Sequence, residues 1–593
     1  MRPPGPAESE KQVRKAFLAG ARADFGVGDP AVDDPARGAA WGPDRTLRAD
    51  FLKKLIEEAG ERRAPLRVVG ARITGPLELE YLELGYSLSF SRCYFDDEID
   101  LHDTRLRRLN LRDSRLAGLN GSQMHVDGAI VLHGTRVDGQ VRLDSAVIGG
   151  GLLVAEAVLR NPGKVALRAD RARITGDLSL RETTVEGRTV LRDARVDGVL
   201  NLGLARLLNP GDEALDAARI RVGSDLQGDG LYAEGMARFS GAETAGLFRM
   251  AAAKLHHPDG IALELYQAKI GADLQCYQGF EADGQVRITG ARIAGHARFD
   301  GAILRSATAE ALDARYADIG GAARCRDMRV QGPIRFGSAR VAYDLDFRNT
   351  VLAASGPVPS AATPTASVPN ILFLGHLRAA ELTLLFAAPP EGGIHIRNAR
   401  VGVLNDDPAT WPPRISLDGF VYDRIAEPGA VAGRIGWLRR EGAGYRPGPY
   451  EQLAVVYRRL GLDGEARRVL LAKQRARRRT LSIAARPWGL IQDAAVGYGY
   501  RPERALGWLA ALLITGMIVF GLHHPVPSNS DKGPPFNALI YSLDLLLPVI
   551  NFGQGRAYVA TGGYQWVAYL LTAAGWILAT TIAAGVARAV NRA

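Results

Sequence analysis

The segment VDGAIVLHGTRVDGQV, residues 126–141, shows the pattern that decides the fold of this 593-residue chain. It contains the phrase apolar-x-Gly-x-apolar twice, as Val126-Asp-Gly128-Ala-Ile130 and Val137-Asp-Gly139-Gln-Val141. Apolar residues that alternate with polar ones form short strands with one side turned inward. Because glycine allows the backbone to turn with a positive φ at no steric cost, we expect such a turn at each glycine of the phrase.

The phrase recurs from about residue 67 and explains why the chain contains 68 glycines. Its glycines stand eleven residues apart in four runs: Gly128, Gly139 and Gly150; Gly176, Gly187 and Gly198; Gly235 and Gly246; and Gly321 and Gly332. An eleven-residue step is too short for a repeat that contains a helix, whereas two steps make one coil of a β-solenoid. A single coil cannot bury its inner side alone, so we expect coils that stack and share one core.

A second period of 48 residues overlies the first. Pro162, Pro210 and Pro258 are 48 residues apart, each in a turn-like phrase, and an Ala-Leu pair follows each of them. We interpret the larger unit as four eleven-residue steps plus a loop of about four residues, which Gly and Pro commonly form. The fold class that the sequence predicts is therefore mainly β, a solenoid of eleven-residue half-coils.

The composition and charge limit the function classes. No strict Gly-X-Y period is present, which excludes collagen, and 47% hydrophobic residues are too many for a disordered chain. The three cysteines, Cys93, Cys276 and Cys325, are too far apart in sequence for a disulfide framework or a zinc motif. Cys276 and Cys325 share one repeat phase, so we expect core thiols. The outward Arg and Asp residues predict a solvated surface of mixed sign.

The domain organisation follows from changes in pattern along the chain. We expect a helical N-terminal cap at 1–66, the solenoid at 67–352, a Pro/Ala/Ser/Thr loop at 353–369, the solenoid end at 370–423, a helical connector at 424–500 and a membrane module at 501–593. The cap is expected because the end of a solenoid exposes unpaired strand edges.

Two uncharged apolar segments in the last part of the chain are long enough to cross a bilayer, 505–522 and 566–587. The basic residues that flank them place both chain ends in the cytoplasm. The apolar segment 536–553 is then re-entrant, since a third crossing would put the C-terminal arginines outside. A basic run before the first span predicts contact with anionic lipid through Arg475, Arg477, Arg478 and Arg479. Membrane lipid and an unknown protein are the expected partners, and nucleic acid is not.

The order of span, re-entrant segment, Gly-containing loop and span is weakly similar to the two-helix pore module of cation channels. In that family the loop carries a TVGYG-like filter. Only Phe552 and Gly553 fit it here, and Asn551 stands where the filter has glycine. Asp544 is a further candidate, because a carboxylate at membrane depth is unusual. A pore would imply a homo-oligomer formed through the membrane module.

Several segments together resemble one bacterial, largely actinobacterial family whose members commonly carry the label membrane-associated oxidoreductase. They are ARITGDLSLRETTVEG at 172–187, YEQLAVVYRRLGLDGEARRVLLAK at 450–473, VGYGYRP at 496–502 and YSLDLLLPVINFGQ at 541–554. The resemblance implies a solenoid in a bacterial plasma-membrane protein, and the label implies redox chemistry. The sequence carries no dinucleotide-binding, haem or iron–sulfur motif, so we expect no cofactor and no catalytic or metal site. An interaction, scaffold or sensing module is the first hypothesis, and a degenerate pore or an oxidoreductase are the alternatives.

Overall fold

The computed structural model describes residues 7–58, 64–307, 310–355, 369–441, 444–480, 482, 490, 493, 497–499, 502–528, 535–547 and 549–590. Within this part, the side chains of residues 502, 503 and 581–590 are outside the description. The chain divides into two compact units, Met1–Glu427 and Pro428–Ala593.

The first unit is a β-solenoid of about 16 turns with a repeat of about 22 residues. A full coil carries four short strands, which we call faces one to four in chain order. Each strand pairs in parallel with the strand of the same face in the next coil, as when Leu109 faces Leu88 and then Ile130. Four ladders of parallel strands therefore run along the axis, and the predicted fold class is confirmed at this level.

Face one contains Leu66–Val69, Leu88–Ser91, Leu109–Asn110, Ile130–Val131, Leu152–Leu153, Leu178–Ser179, Leu200–Asn201, Leu226–Gln227, Phe248–Arg249, Leu274–Gln275, Ala297–Arg298, Ala323–Arg324 and Asp344–Asp346. Face two contains Arg72–Thr74, Tyr94–Phe95, Arg115–Leu116, Arg136–Val137, Ile303–Arg305, Arg329–Gln331 and Val351–Ala353. Face three contains Leu77–Glu78, Ile99–Asp100, Leu119–Asn120, Val141–Arg142, Leu312–Asp313, Ile334–Arg335, Asn370–Phe373, Gly393–His395 and Ile415–Ser416. Face four contains Arg105–Leu106, His125–Val126, Val147–Ile148, Arg173–Ile174, Arg195–Val196, Arg221–Val222, Glu243–Thr244, Lys269–Ile270, Arg292–Ile293, Asp318–Ile319 and Arg340–Val341.

Some strands are long enough to serve two faces. Faces two and three are joined in Val158–Arg168, Thr184–Val190, Arg206–Asp216, Tyr232–Arg238, Lys254–Glu264 and Glu281–Arg287. Faces four and one are joined in the last three coils, in Arg378–Leu384, Arg400–Asp406 and Val421–Ile425.

The 48-residue period arises because coils of two lengths alternate. Leu152, Leu178, Leu200 and Leu226 are successive partners on face one, so a coil of 26 residues is followed by one of 22. The four extra residues form a bulge around each Pro of the period. In the first bulge the amide of Asn161 donates a hydrogen bond to the Val165 carbonyl oxygen at 2.8 Å, and this bond closes the turn.

The prediction that each glycine of the repeated phrase has a positive φ is wrong. Gly128, Gly139 and Gly150 do not have a positive φ. They lie at the corners between faces two and three or between faces four and one, where stacked backbones come close together. A Cβ added to Gly139 would lie 2.1 Å from the carbonyl oxygen of Ala117 in the preceding coil. Glycine is therefore needed at these corners because there is no room for a side chain.

The left-handed backbone occurs mainly at the other two corners of each coil, and mostly at residues other than glycine. Asp113 has φ 54° and Asp193 has φ 56°, for example. Short polar side chains tolerate this region because they hydrogen-bond to nearby groups. A few phrase glycines do have the predicted positive φ, such as Gly187 at 120° and Gly235 at 114° beneath the bulges.

The core of the first unit consists of ladders of inward side chains, one rung for each coil. Leu109, Ile130 and Leu152 are successive rungs of one such ladder and are buried. Cys276 and Cys325 occupy one equivalent inward position two coils apart, and both are fully buried free thiols, as their shared phase predicts. Each apolar side chain therefore packs on the rungs above and below it.

The first unit begins with two helices and two strands. Helices α1, Glu8–Leu18, and α2, Ala49–Glu58, precede the first full coil. The strands Ala23–Asp24 and Thr46–Arg48 add to faces one and two of that coil. They cover the strand edges that would otherwise be exposed at this end.

The second unit is mainly helical. Its helices are α3, Val431–Leu438; α4, Pro447–Arg459; α5, Asp463–Thr480; α6, Pro502–Leu522; α7, Ala538–Leu546; α8, Gln554–Ala557; and α9, Tyr564–Val590. A 3₁₀ turn spans Gly497–Gly499, and the short antiparallel strands Val526–Pro527 and Tyr558–Val559 pair between α6 and α9. Helices α4 and α5 pack against each other as a hairpin, within the segment 424–500 that the sequence predicts to be helical.

Among the described residues, one helical stretch, Arg504–Leu522, is long and apolar enough to cross a membrane. Its mean hydropathy is 2.2, and 17% of it is buried. The second predicted span, 566–587, lies within α9, but from residue 581 its side chains are outside the described part. Most of the predicted loop at 353–369, residues 356–368, and Pro548 of the predicted re-entrant segment also lie outside it.

Candidate functional site

The predicted pore residues lie together at the end of α7, where Asp544 anchors the loop that follows. One carboxylate oxygen of Asp544 accepts a hydrogen bond from the backbone N–H of Phe552, and the other accepts one from Gly555 at 2.9 Å. The side chain of Asn551 accepts a bond from the Gly553 N–H at 2.8 Å. Asp544 therefore has a structural role as an acceptor for loop amides, which its sequence position alone does not reveal.

The same loop is held on its other side by a buried side chain that sequence reasoning missed. The amide of Gln554 donates to the Pro535 carbonyl oxygen at 2.8 Å and accepts from the Asn537 N–H at 3.1 Å. The side chain of Asn537 in turn caps α7 by accepting from the N–H groups of Leu539 and Ile540. The loop conformation is thus fixed by side chains before and after it.

Small residues let α7 pack closely against both long helices. A Cβ added to Gly516 of α6 would lie 2.7 Å from the Oγ of Ser542, and one added to Gly575 of α9 would lie 2.2 Å from the Leu546 carbonyl oxygen. With nine residues, α7 is about 14 Å long and too short to cross a bilayer. These close contacts make α6, α7 and α9 one packed group.

The predicted lipid-contact arginines lie in the last turns of α5, but two of them bind an acidic side chain. Arg475 donates to Asp493 at 2.9 Å, and Arg478 donates to the same carboxylate at 3.2 Å. Partial burial raises the pKa of Asp493, but the hydrogen bonds and charges of the two arginines outweigh it, so this pKa lies below its ordinary value. Arg477 is exposed, and Arg479 lines a small cavity with Tyr445 and Tyr450.

The cysteines give no support for thiol redox chemistry. Burial raises the pKa of Cys93 to about 12, and it also raises the pKa of Cys276 and Cys325. All three are enclosed in the solenoid core, where neither a thiolate nor an attacking reagent is favoured. Within the described ranges, no group of three or more His, Cys, Asp and Glu residues is placed to hold a metal ion.

Face four carries a charged surface that the expectation of a mixed-sign solenoid overlooked. Its outward position is Arg or Lys in nine coils between Arg105 and Arg400, and acidic in two, at Glu243 and Asp318. These outward residues form a column along the solenoid axis. A groove of about 610 Å³ runs beside the column over the coils from Arg195 to Gly320. Each basic residue stands first in its strand, and only the four-face coil aligns these positions into one column.

Comparisons of the chain with protein-family models, with curated proteins and with solved structures find no match. The class of protein that the fold defines is therefore a β-solenoid with C-terminal helices.

Proposed function

We propose that this protein is a solenoid tethered to the cytoplasmic face of a bacterial plasma membrane, where it acts as an interaction, scaffold or sensing module. The observation that carries this proposal is the exposed apolar surface of α6. Ile514 is 56% exposed and Ile518 is 57% exposed, and no charged residue lies between Arg504 and His523. A soluble protein rarely leaves so continuous an apolar surface uncovered.

The second long helix supports the same interpretation. Helix α9 has 27 residues, and large apolar side chains such as Trp566, Leu570 and Trp576 are exposed along it. Trp and Tyr are typical of the membrane–water interface, and Trp566 and Tyr564 stand at the start of this helix. With α7 too short to cross, two crossings leave both chain ends on one side, and the flanking arginines place that side in the cytoplasm.

Arginine substitution on the exposed side of α6 tests this proposal. A protein carrying both Ile514→Arg and Ile518→Arg should be lost from the carbonate-resistant membrane fraction, because each arginine near the centre of a span costs about 2.5–3.5 kcal/mol of insertion free energy. A matched control places the same two charges on exposed apolar positions of the first unit, Val32→Arg and Tyr81→Arg, and should leave the distribution unchanged. Release of the wild-type protein by carbonate would overturn the proposal.

A pore is a second candidate function, and the anchored loop favours it. The short helix α7 lies between two long helices and ends in a loop whose backbone is held by Asp544. In channels of this kind the backbone carbonyl groups of the loop replace the water around the ion, and a loop held in one conformation can present such groups to an ion path. Purified protein in liposomes should then conduct ions, and Asp544→Asn should change that conductance. Liposomes that remain impermeable to ions would contradict the pore and leave the membrane-tethered module as the proposed function.

The oxidoreductase that the family label implies is the third possibility. Nothing in the described part of the chain gives it a site, since the thiols are buried and no cofactor motif is present in the sequence. An absorption spectrum and mass spectrum of the detergent-purified protein test it. A bound flavin, nicotinamide or metal would revive this possibility.

A further inference from the structure

The column of outward residues on face four carries more positive charge than the surface of mixed sign that the sequence predicts. Arg173, Arg195 and Arg221 are successive partners in register, and Arg340, Arg378 and Arg400 form a second such run. Like charges directly opposite one another on neighbouring strands are destabilising. The coils are about 4.8 Å apart, so each run concentrates three positive charges within about 10 Å.

Face three of the same solenoid shows how the fold arranges charges that need no ligand. Its outward position alternates in sign over successive coils: Asp216, Arg238, Glu264, Arg287 and Asp313. Glu264 lies 3.4 Å from Arg238 and 3.3 Å from Arg287, so one carboxylate serves the coils on either side. The repeat can therefore place opposite charges on successive coils of one face. The excess of positive charge on face four is thus a property of that face and not of the fold in general.

The charges on face four are only partly neutralised within the described ranges. Arg195 pairs with Asp197 at 2.7 Å, and Glu243 lies between Lys269 at 2.7 Å and Arg221 at 3.6 Å. No carboxylate of the described residues lies within 4 Å of the cationic groups of Arg340, Arg378 and Arg400. The run at the far end of the column therefore presents three exposed guanidinium groups, and the nearest acidic rung is Asp318, the in-register partner of Arg340 on the preceding coil.

Small residues make a groove beside this column. In four coils of the larger stretch the residue two positions after the outward residue is small, namely Gly223, Ala245, Gly271 or Ala294, whereas Asp197 takes this place in the coil of Arg195. Beside the far run it is Ala342 or Ala380. The two stretches enclose about 610 and 570 Å³. No aromatic side chain lines either stretch.

We propose that the part of the face-four groove beside Arg340, Arg378 and Arg400 binds a linear phosphate polymer, with inorganic polyphosphate as the ligand that fits best. Guanidinium groups bind phosphate oxygens through paired, charge-assisted hydrogen bonds. A polymer with a negative charge on every repeat unit meets these three rungs in any register along the axis, whereas the acidic rungs Glu243 and Asp318 disfavour it on the rest of the column. The absence of aromatic residues in the groove disfavours single-stranded nucleic acid, whose bases stack on such side chains.

Fluorescence anisotropy with labelled polyphosphate tests this inference, using the full chain in detergent. The triple variant Arg340→Gln, Arg378→Gln and Arg400→Gln should bind at least tenfold more weakly at 150 mM salt. Its log–log salt slope should fall by about 2, since each lost phosphate contact removes about 0.7 from the slope for a single-stranded polyanion. The corresponding triple lysine variant should retain most of the affinity, which separates loss of charge from loss of fold.

A matched control removes the same charge from another face. Arg136→Gln, Arg206→Gln and Arg329→Gln neutralise three outward residues of face two, and binding should change less than twofold. An equal loss in this control, or no binding by the wild type at 150 mM salt, would overturn the inference. Equal or tighter binding of single-stranded DNA with the same charge would also overturn it and indicate nucleic acid as the ligand. Binding to anionic vesicles alone would overturn it in favour of a membrane surface.

Discussion

Replacing Gly139 with alanine tests the reason why this solenoid is rich in glycine. The corner at Gly139 lies directly on the preceding coil, and the new Cβ would lie 2.1 Å from the carbonyl oxygen of Ala117. Ordinary contacts of a Cβ begin at about 3.4 Å, so the two coils must separate locally by more than an ångström. The obstacle is backbone, which cannot move aside as a flexible side chain would.

The size of the effect follows from the hydrogen bonds around that corner. The Leu119 N–H donates to the Gln140 carbonyl oxygen at 2.9 Å, and the Asp138 N–H donates to that of Leu116 at 2.9 Å. A separation of more than an ångström would break both bonds. Overpacking of this kind costs about 1–3 kcal/mol of the free energy of local opening. We therefore expect hydrogen exchange in this corner to accelerate by a factor of about 5 to 150.

Hydrogen–deuterium exchange with mass spectrometry is the suitable assay, because it measures each coil separately. Stacked repeats need not unfold as one unit, so a single melting temperature would average the effect over all coils. The peptide that covers residues 116–141 should lose protection, and peptides from coils several repeats away should not change.

Two further variants separate steric crowding from backbone conformation. Gly85 has no neighbouring atom within 4 Å of an added Cβ and no positive φ, so Gly85→Ala should leave exchange in its coil unchanged or slightly slower. Asparagine tolerates a positive φ better than alanine does, so a requirement for that conformation would make Gly139→Asn the milder change. Crowding predicts the opposite order. Wild-type protection in Gly139→Ala would refute the reasoning.

Three other predictions concern the loop, the thiols and the acid stability of the solenoid. Asp544→Ala should increase hydrogen exchange at residues 551–557 about tenfold or more, because two loop N–H groups lose their acceptor; unchanged exchange would show that the loop is held otherwise. Cys93, Cys276 and Cys325 should not react with a thiol reagent at pH 8 until the protein is unfolded, since burial raises the pKa of each; rapid labelling of the native protein would contradict the buried placement. Burial raises the pKa of Asp313, but the hydrogen bonds and charge of Arg315 outweigh this, so its folded pKa lies below the ordinary 3.8. Its stabilising contribution is therefore present above pH 3.8 and lost as the pH falls through the lower folded value. The protection of the peptide around residue 313 against hydrogen exchange should fall more steeply below pH 4 in the wild type than in Asp313→Asn, and parallel curves would show that other groups govern acid stability.

The solenoid was predictable because its information is local and repeated. The eleven-residue spacing of Gly128 and Gly139, together with the apolar residues around them, determines both the half-coil and its inward positions. The position of the bulges was likewise visible in the 48-residue spacing of the prolines. The shared burial of Cys276 and Cys325 followed from repeat phase alone.

The role of the glycines could be recognised only in the structure, because the distance between stacked backbones depends on two coils and not on the sequence of one. Gly139 and Asp113 both lie at corners, yet it is the aspartate that has the positive φ. The function of Asp544 was hidden for the same reason. Its partners, the N–H groups of Phe552 and Gly555, are backbone atoms whose positions depend on how the loop folds back.

The sequence by itself determined that this chain forms stacked β coils followed by helices with a long apolar segment, since periodicity and hydropathy are properties of neighbouring residues. Only the tertiary structure decided which outward residues share a face. Arg340, Arg378 and Arg400 are 38 and 22 residues apart in sequence, and the uneven spacing conceals their alignment. Stacking brings them onto one column as partners in register, and the closeness of their charges is what gives face four its distinct chemistry.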